Sequence, residues 1–393
     1  MKNKKKIIIL GSTGSIGKST LNVVRNYKNE IDITCLSSNK NYKKLFKQSQ
    51  LFNVRNLIIN DPLAFLNAQH YIKSKKVRLF PNISEYLKKN KKKNDLVIVG
   101  ISGLEGLKPT LNVIPFTKNL ASANKESIIC GWKFINDKLK RYNTNFIPID
   151  SEHFSVWSLI NNDKEMISKI YLTASGGPFL KTSLKKLDKT KVENVIKHPN
   201  WSMGKKISTD SASMMNKVFE VIEASKIFQL DKTKVKIIIH PKSIIHAIVV
   251  FNNGLVKFLM HDTNMEIPIF NSIFKNNKKI FYKKKDIDLQ NLNGTNFINP
   301  DKKKFPYIDL LKKKKLKINT YFEIILVTLN DELVNYFLNN KITFIQMQKL
   351  LLKFINHNTF KSYYNNYPKK VDDIYLMVNK VKKYLNNNEK NFL

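Results

Sequence analysis

A short apolar run, a glycine-rich turn and a helical repeat follow one another at the start of this chain. They limit its fold more than any other feature. KIIILG (Lys6 to Gly11) is a fully apolar strand, GSTGSIGKST (Gly11 to Thr20) is the turn, and STLNVVRNY (Ser19 to Tyr27) has helical spacing. The alternation continues through IDITCLSS (Ile31 to Ser38), NLIIN (Asn56 to Asn60), DLVIVG (Asp95 to Gly100) and NLASA (Asn119 to Ala123), and NFIPIDSEH (Asn145 to His153) closes the series. Strands alternating with helices imply an α/β fold with a doubly wound, Rossmann-like parallel sheet.

At 393 residues the chain exceeds one ordinary core, so several domains are expected. We divide it into a nucleotide-binding domain (1–150), a mixed α/β catalytic domain (151–285), a polar linker (286–306) and a C-terminal helical domain (307–393). In the second, KIYLTAS (Lys169 to Ser175), VKIIIH (Val235 to His240), AIVVF (Ala247 to Phe251) and LVKFLM (Leu255 to Met260) read as strands, with a hairpin turn at Asn252 to Gly254. The tail, including Tyr321 to Leu338 and Ile342 to Ile355, has the periodicity of a small helical bundle.

The formal charge of +39 invites a nucleic-acid-binding reading. Against it, arginine, the better residue for bidentate phosphate and guanine contacts, occurs at four positions only, and the lysine runs are scattered without a shared aromatic platform. We expect no nucleic-acid partner. No apolar run approaches the roughly 18 residues needed to cross a bilayer, and the opening residues lack the pattern of a secretory signal. Cys35 and Cys130 make no metal-type pair and suit a reducing compartment. A cytoplasmic location without membrane attachment is expected.

Glycines between a strand and a helix let backbone N–H groups and the helix N-terminus meet a pyrophosphate. The spacing here is G-x-x-G-x-x-G; a plain tight turn is the competing reading, and the strand and helix around it favour a nucleotide. NAD-binding units usually place an acid at the end of the second strand for the ribose hydroxyls. This strand runs out into Ser37-Ser38-Asn39-Lys40-Asn41. Hydroxyls, amides and a cation suit a 2′-phosphate, which points to NADPH.

Asp150-Ser151-Glu152 follows the apolar FIPI, and strand ends are where open α/β sheets place ligands. If the backbone stays extended, the two carboxylates project to one side, as hard oxygen ligands for Mg²⁺ or Mn²⁺. An acid pair capping the next helix is the alternative. HPNWSMGKKISTDSASMMNKVFE (His198 to Glu220) packs groups into one loop and one helix that would be costly to bury unpartnered. Thr209, Asp210, Ser211 and Ser213 read as helix-start residues. Beyond them Asn216 and Glu220 stack at i, i+4 with Lys217 adjacent, giving a phosphate grip and a third acid. Glu223 lies near the same face, and spacing does not separate it from Glu220. LTASGGPF (Leu172 to Phe179) adds an anion-friendly turn. Trp201 sits on a polar loop where it can act as a lid, although a lone Trp is more often core. His153, His240 and His246 read as structural.

With these residues assembled, the chain closely resembles the 1-deoxy-D-xylulose 5-phosphate reductoisomerase family over nearly its whole length. The resemblance rests on GSTGSIG, LASANKES (Leu120 to Ser127), IDSEH, TASGGPF, HPNWSMGKKIS with DSASMMNK, and HPKSIIH (His240 to His246). It implies isomerisation of a ketose phosphate by C–C cleavage and re-formation, then reduction by NADPH to 2-C-methyl-D-erythritol 4-phosphate in non-mevalonate isoprenoid synthesis. Carried over by position, Asp150, Glu152 and Glu220 are metal ligands. Lys125, Ser151, Ser175, His198, Ser211, Asn216 and Lys217 touch substrate, with Lys125 and His198 counted as catalytic alongside the acids. Thr13, Gly14, Ser15, Ile16, Asn39, Lys40, Asn41, Asn124, Glu126 and Gly204 bind NADPH. The family is homodimeric, with a mobile loop here spanning about 176–206. The segment HDTNMEIPI (His261 to Ile269) departs from the family's usual glycine, proline, aspartate, methionine and arginine run, Asn39 stands where glycine is common, and Val218-Phe219 replaces smaller or less bulky neighbours. Two other readings are another NADP-dependent, metal-assisted sugar-phosphate dehydrogenase and, from a different class, a basic nucleic-acid-binding protein.

Overall fold

The computed structural model describes residues 4–73, 76–160, 166–201, 203–275, 277, 279–282, 289–312 and 318–389. Ser202, in the expected mobile loop, lies outside them. The chain forms two compact units. The first comprises Met1–Ser127, Lys133–Phe154 and Asn264–Asp286; the second comprises Ile128–Trp132, Ser155–Thr263 and Ile287–Leu393.

The first unit is built on a seven-stranded sheet. Its strands are β1 (Lys5–Leu10), β2 (Ile31–Ser38), β3 (Asn56–Ile59), β4 (Arg78–Phe80), β5 (Leu96–Val99), β6 (Asn119–Ser122) and β7 (Asn145–Pro148), in the order β4-β3-β2-β1-β5-β6-β7. Every pairing is parallel. Ile7, Ile8 and Ile9 of β1 and Val97, Ile98 and Val99 of β5 are fully buried, as strands covered by helices on both faces must be. The order reverses at β1, so the turn after β1 opens at the topological switch point where such sheets bind ligands. β4 was not anticipated; three residues at the sheet edge carry too little pattern. The helix Glu266–Phe274 belongs to this unit because Tyr27 packs on Phe270 and Phe274, with centroids 5.3 and 5.2 Å apart.

The second unit holds a mixed four-stranded sheet of β8 (Ile167–Ala174), β9 (Val235–Ile239), β10 (Ile245–Phe251) and β11 (Val256–Met260), ordered β11-β10-β8-β9. β8 and β9 are parallel, while β10 is antiparallel to both β8 and β11. The β10–β11 turn closes through Gly254 at φ +84, a region glycine enters without a Cβ penalty. Ala174, Met214, Ile239 and Phe305 form one buried cluster. The stretch expected as a linker is tied to the sheet, since Ile298 and Ile239 exchange backbone hydrogen bonds at 2.8 Å and Phe305 is buried. Helices Tyr321–Leu338, Phe344–Phe354 and Val371–Asn387 make up the helical C-terminal part.

Candidate active site

In the first unit, the turn after β1 is knitted to the end of β2. Ser12 N donates to Ser37 O at 2.8 Å and Gly11 N to Ser37 Oγ at 2.9 Å. Ser12 Oγ donates to Gln48 Oε1 at 2.8 Å, and Gln48 Nε2 returns a bond to Ser12 O at 3.0 Å. Gly17 has no room for a side chain: a Cβ there would lie 2.3 Å from Ser12 Cα. Gly14 is the N-cap of the helix Ser15–Asn26, whose first turn holds no acidic side chain. The first intrahelical bond of that helix is Lys18 N to Gly14 O. The N–H groups of Ser15, Ile16 and Gly17 therefore have no partner within the helix. At the end of β2, Ser38 Oγ is buried without a hydrogen-bond partner. Asn39, Lys40 and Asn41 follow on the surface; Asn41 caps the helix Tyr42–Phe52 by accepting from Lys44 N, and exposed Lys40 lies 3.8 Å from Asp61. One cation that sequence reasoning missed sits here. Lys44 Nζ donates to the carbonyl of Thr13 at 3.3 Å, and its pKa is lowered by burial and then by the neighbouring Lys18. In so lysine-rich a chain neither residue stands out.

Asn124 and Glu126 lie at the start of the helix Lys125–Tyr142, and both are buried. Asn124 has local work. Its oxygen accepts from Ser127 N at 2.7 Å, and its amide donates to Ile101 O and Gly103 O at 2.6 and 2.8 Å.

The acid pair differs from the extended arrangement expected. The helix Ser151–Ile160 begins directly after Asp150, so Glu152 stands in its first turn. Glu152 N donates to Asp150 Oδ1 at 3.3 Å and Phe154 N to Asp150 O at 2.8 Å. Asp150 thus caps the helix while its other oxygen receives Lys125 Nζ at 2.9 Å. His153 Nδ1 approaches Asp150 Oδ1 at 3.2 Å, and Ser151 Oγ donates to Glu152 Oε2 at 2.5 Å.

In the second unit, the expected single helix is broken. Thr209, Asp210 and Ser211 lie inside a helix Lys205–Ala212, capped by Gly204, and a second helix Met215–Ile227 starts after Met214. Met214 takes a left-handed conformation, φ +63, of the kind that strains a non-glycine residue and clusters at functional sites. The break puts Asn216 and Lys217, rather than the serines, in the first turn of the second helix. Glu220 is 1% exposed, and a buried carboxylate must be paired. Asn216 Nδ2 donates to its Oε1 and Lys217 Nζ to its Oε2. Asn216 Oδ1 is buried with no partner. The turn after β8 lies beside this region, and a Cβ on Gly177 (φ +66) would meet Ala212 Cα and Ser211 O at 3.2 Å.

His198 joins the loop to that turn. Its Nδ1 accepts from Asn200 N at 3.2 Å and Trp201 N at 3.0 Å, so the neutral ring carries its proton on Nε2, which faces Ser175 Oγ at 2.9 Å. Gly177 N also donates to that hydroxyl at 3.0 Å. Burial first, and then the Lys217 cation, lower the His198 pKa to about 4. The loop is held further by Asn200, whose amide donates to Pro241 O at 2.9 Å and Ser243 Oγ at 2.8 Å. Sequence reasoning gave Asn200 no role.

Family models described as 1-deoxy-D-xylulose 5-phosphate reductoisomerase, its C-terminal domain, and DXP reductoisomerase C-terminal domain match residues 7–131, 146–228 and 260–384. The chain is 52% identical to the 1-deoxy-D-xylulose 5-phosphate reductoisomerase of Pelagibacter ubique, covering 94% of this chain and 96% of that protein. It is 37% identical to that of Wolbachia pipientis wMel, covering 88% and 89%. Among solved structures, a DOX-P reductoisomerase bound to NADPH, fosmidomycin and magnesium superposes with a TM-score of 0.90 at 29% identity over 98% of each chain. The Zymomonas mobilis enzyme with NADPH gives 0.86 at 28% identity, over 97% and 98%.

Proposed function

The chain belongs to the 1-deoxy-D-xylulose 5-phosphate reductoisomerase family, and on that premise we propose how its own residues divide the work. The enzyme converts 1-deoxy-D-xylulose 5-phosphate to 2-C-methyl-D-erythritol 4-phosphate for isoprenoid synthesis, using NADPH and a divalent metal. Asp150, Glu152 and Glu220 are assigned as the metal ligands. The observation that carries this reading is the donor set itself: Asp150 capping a helix, Glu152 in the first turn of that helix, and a buried Glu220. An all-oxygen set of this kind is what Mg²⁺ and Mn²⁺ take. When bound, the ion supplies Lewis acidity toward the substrate's carbonyl and hydroxyl oxygens, and NADPH supplies the hydride.

The remaining roles fall to groups whose bonding fits them. Lys125 and Ser151 hold the acid pair in place and present a cation and a hydroxyl to the sugar. Ser175, His198, Ser211, Asn216 and Lys217 grip the phosphate end. The Ser175 hydroxyl already accepts two bonds, from Gly177 N and from the His198 ring, which leaves its own proton to donate. Asn216 and Lys217 combine side-chain donors with a helix N-terminus. Binding energy gathered at the phosphate, remote from the reacting carbons, positions them and favours closure of loop 176–206, which excludes water.

For NADPH, Thr13, Gly14, Ser15 and Ile16 offer the pyrophosphate a helix N-terminus, and Asn39, Lys40 and Asn41 take the 2′-phosphate end. Asn124, Glu126 and Gly204 complete the cofactor set. The open N–H groups of the first helix and the unpartnered Ser38 hydroxyl fit such a ligand. The protein acts as a homodimer: β11 is an edge strand, and Leu255, Val256 and Phe258 are 56, 58 and 50% exposed there. It works in the cytoplasm; both cysteines are free and buried, and no helix among the described residues is long and apolar enough to cross a membrane.

The test follows NADPH absorbance with deoxyxylulose phosphate and Mn²⁺. Glu220→Gln and Asp150→Asn are each expected to abolish turnover while leaving NADPH binding largely intact. Wild-type rate in either variant would remove the metal assignment.

A further inference from the structure

Three rings stand in a row in the second unit. His246, on β10, and His261, just past β11, stack face to face with centroids 3.8 Å apart and planes 20° apart. The antiparallel pairing brings them together: Ile245 lies opposite Met260, and His261 N donates to Ile244 O at 3.0 Å. Each ring orientation is fixed by a backbone carbonyl. His246 Nε2 donates to His261 O at 3.1 Å and His261 Nδ1 to Asp262 O at 2.6 Å. Trp201 meets His246 edge-on, with a centroid distance of 6.0 Å and a 69° angle.

His261 itself is 4% exposed, and its Nε2 is buried without a partner. Burying a polar nitrogen unsatisfied costs free energy, and an apolar ring of similar size would avoid that cost. The ring contributes its stack with His246 and its bond to Asp262 O. It also opens the segment HDTNMEIPI (His261 to Ile269).

We propose that His261 is a positioning residue for the loop that carries His198 and Trp201. It backs His246, His246 seats Trp201, and the seat sets how much of the time the loop stands closed. The effect on substrate rests on the reading that this loop covers the substrate site; the seating of Trp201 does not.

The experiment uses the full-length protein labelled with 5-fluorotryptophan, which gives three ¹⁹F signals for its three tryptophans, that of Trp201 being assigned with Trp201→Phe. In His261→Ala, the Trp201 signal in the ligand-free protein is expected to move toward the solvent-exposed position while the other two stay. His261→Phe, which restores a stacking ring, is expected to return it. Should the alanine variant not fold, His261→Asn serves instead, because its amide keeps the donor to Asp262 O but lacks the ring. If closure falls to about a tenth of the population, the KM for deoxyxylulose phosphate rises about tenfold with kcat at saturation retained. A Trp201 signal unmoved by loss of the ring overturns the proposal. A moved signal with unchanged KM upholds the seating and instead removes the loop's role over the substrate.

Discussion

His198 shows how one side chain's bonding fixes its chemistry. With Nδ1 occupied by two backbone donors, a second proton there would break both bonds, and burial together with Lys217 opposes the charge. The pKa is lowered from 6.5 to about 4, so the ring is neutral at pH 7 and presents an Nε2–H donor. The sign for stability follows. Between those two values the unfolded chain binds the proton and the folded chain does not. This contribution is therefore complete above pH 6.5 and is lost as the pH falls toward 4. NMR titration of the His198 ring is expected to give a midpoint near 4 and a higher one in Lys217→Met; a midpoint near 6.5 in the wild type would contradict the account. Lys44 is a second residue whose neighbours bear on its role. Its ammonium rests on Thr13 O with Lys18 beside it, and an anion there would relieve like-charge repulsion. Replacing Lys44 with glutamine should raise the KM for NADPH about tenfold, the scale of one charge-assisted bond, and leave the affinity for NADH unchanged. An equal effect on both cofactors would mean that Lys44 does not sense the 2′-phosphate.

At the scale of elements, the turn after β1 works because a helix start and a strand end approach more closely than any side chain permits. In Gly17→Ala the added methyl would meet Ser12 Cα at 2.3 Å and Gly11 O at 2.4 Å. The helix Ser15–Asn26 would have to move, at a cost of about 1–3 kcal/mol, and its open N–H groups would lose their aim. Calorimetry should then show NADPH binding weakened more than tenfold together with a lower melting temperature; unchanged affinity would separate the turn from the cofactor. These same elements show what a sequence discloses. Apolar runs such as KIIILG and DLVIVG gave their strands away because burial on both faces leaves no room for polar residues. Helix boundaries around the site were harder to read. Glu152 was expected on extended backbone, yet Asp150 caps a helix that begins one residue later. The break at Met214 carries no glycine or proline to mark it. Residues drawn together from distant positions, such as Asn200 with Ser243 or His246 with His261, leave no mark in local spacing at all.

For the whole molecule, the proposed homodimer raises the question of how a chain of net charge +39 would tolerate a second copy of itself. Two such copies repel at long range, and salt screens that repulsion over about 10 Å at 0.1 M. The contact proposed between them is short-range and apolar. β11 fits, because among the described residues it borders only β10 in its sheet, and because Val256 and Phe258, two positions apart, share one face of the strand. Natural edge strands are commonly protected by an inward or flanking lysine, and here Lys257 is turned to the ring of Phe251, 4.8 Å from its centroid. Two consequences follow for light scattering at micromolar protein. Self-association should strengthen as ionic strength rises from about 20 to 200 mM, the opposite of what a salt-bridged interface would do. Phe258→Lys, which adds charge where apolar contact is needed, should give a monomer with an unchanged far-ultraviolet spectrum. If that variant remains a dimer, the copies meet elsewhere, and the exposure of Leu255, Val256 and Phe258 needs another cause.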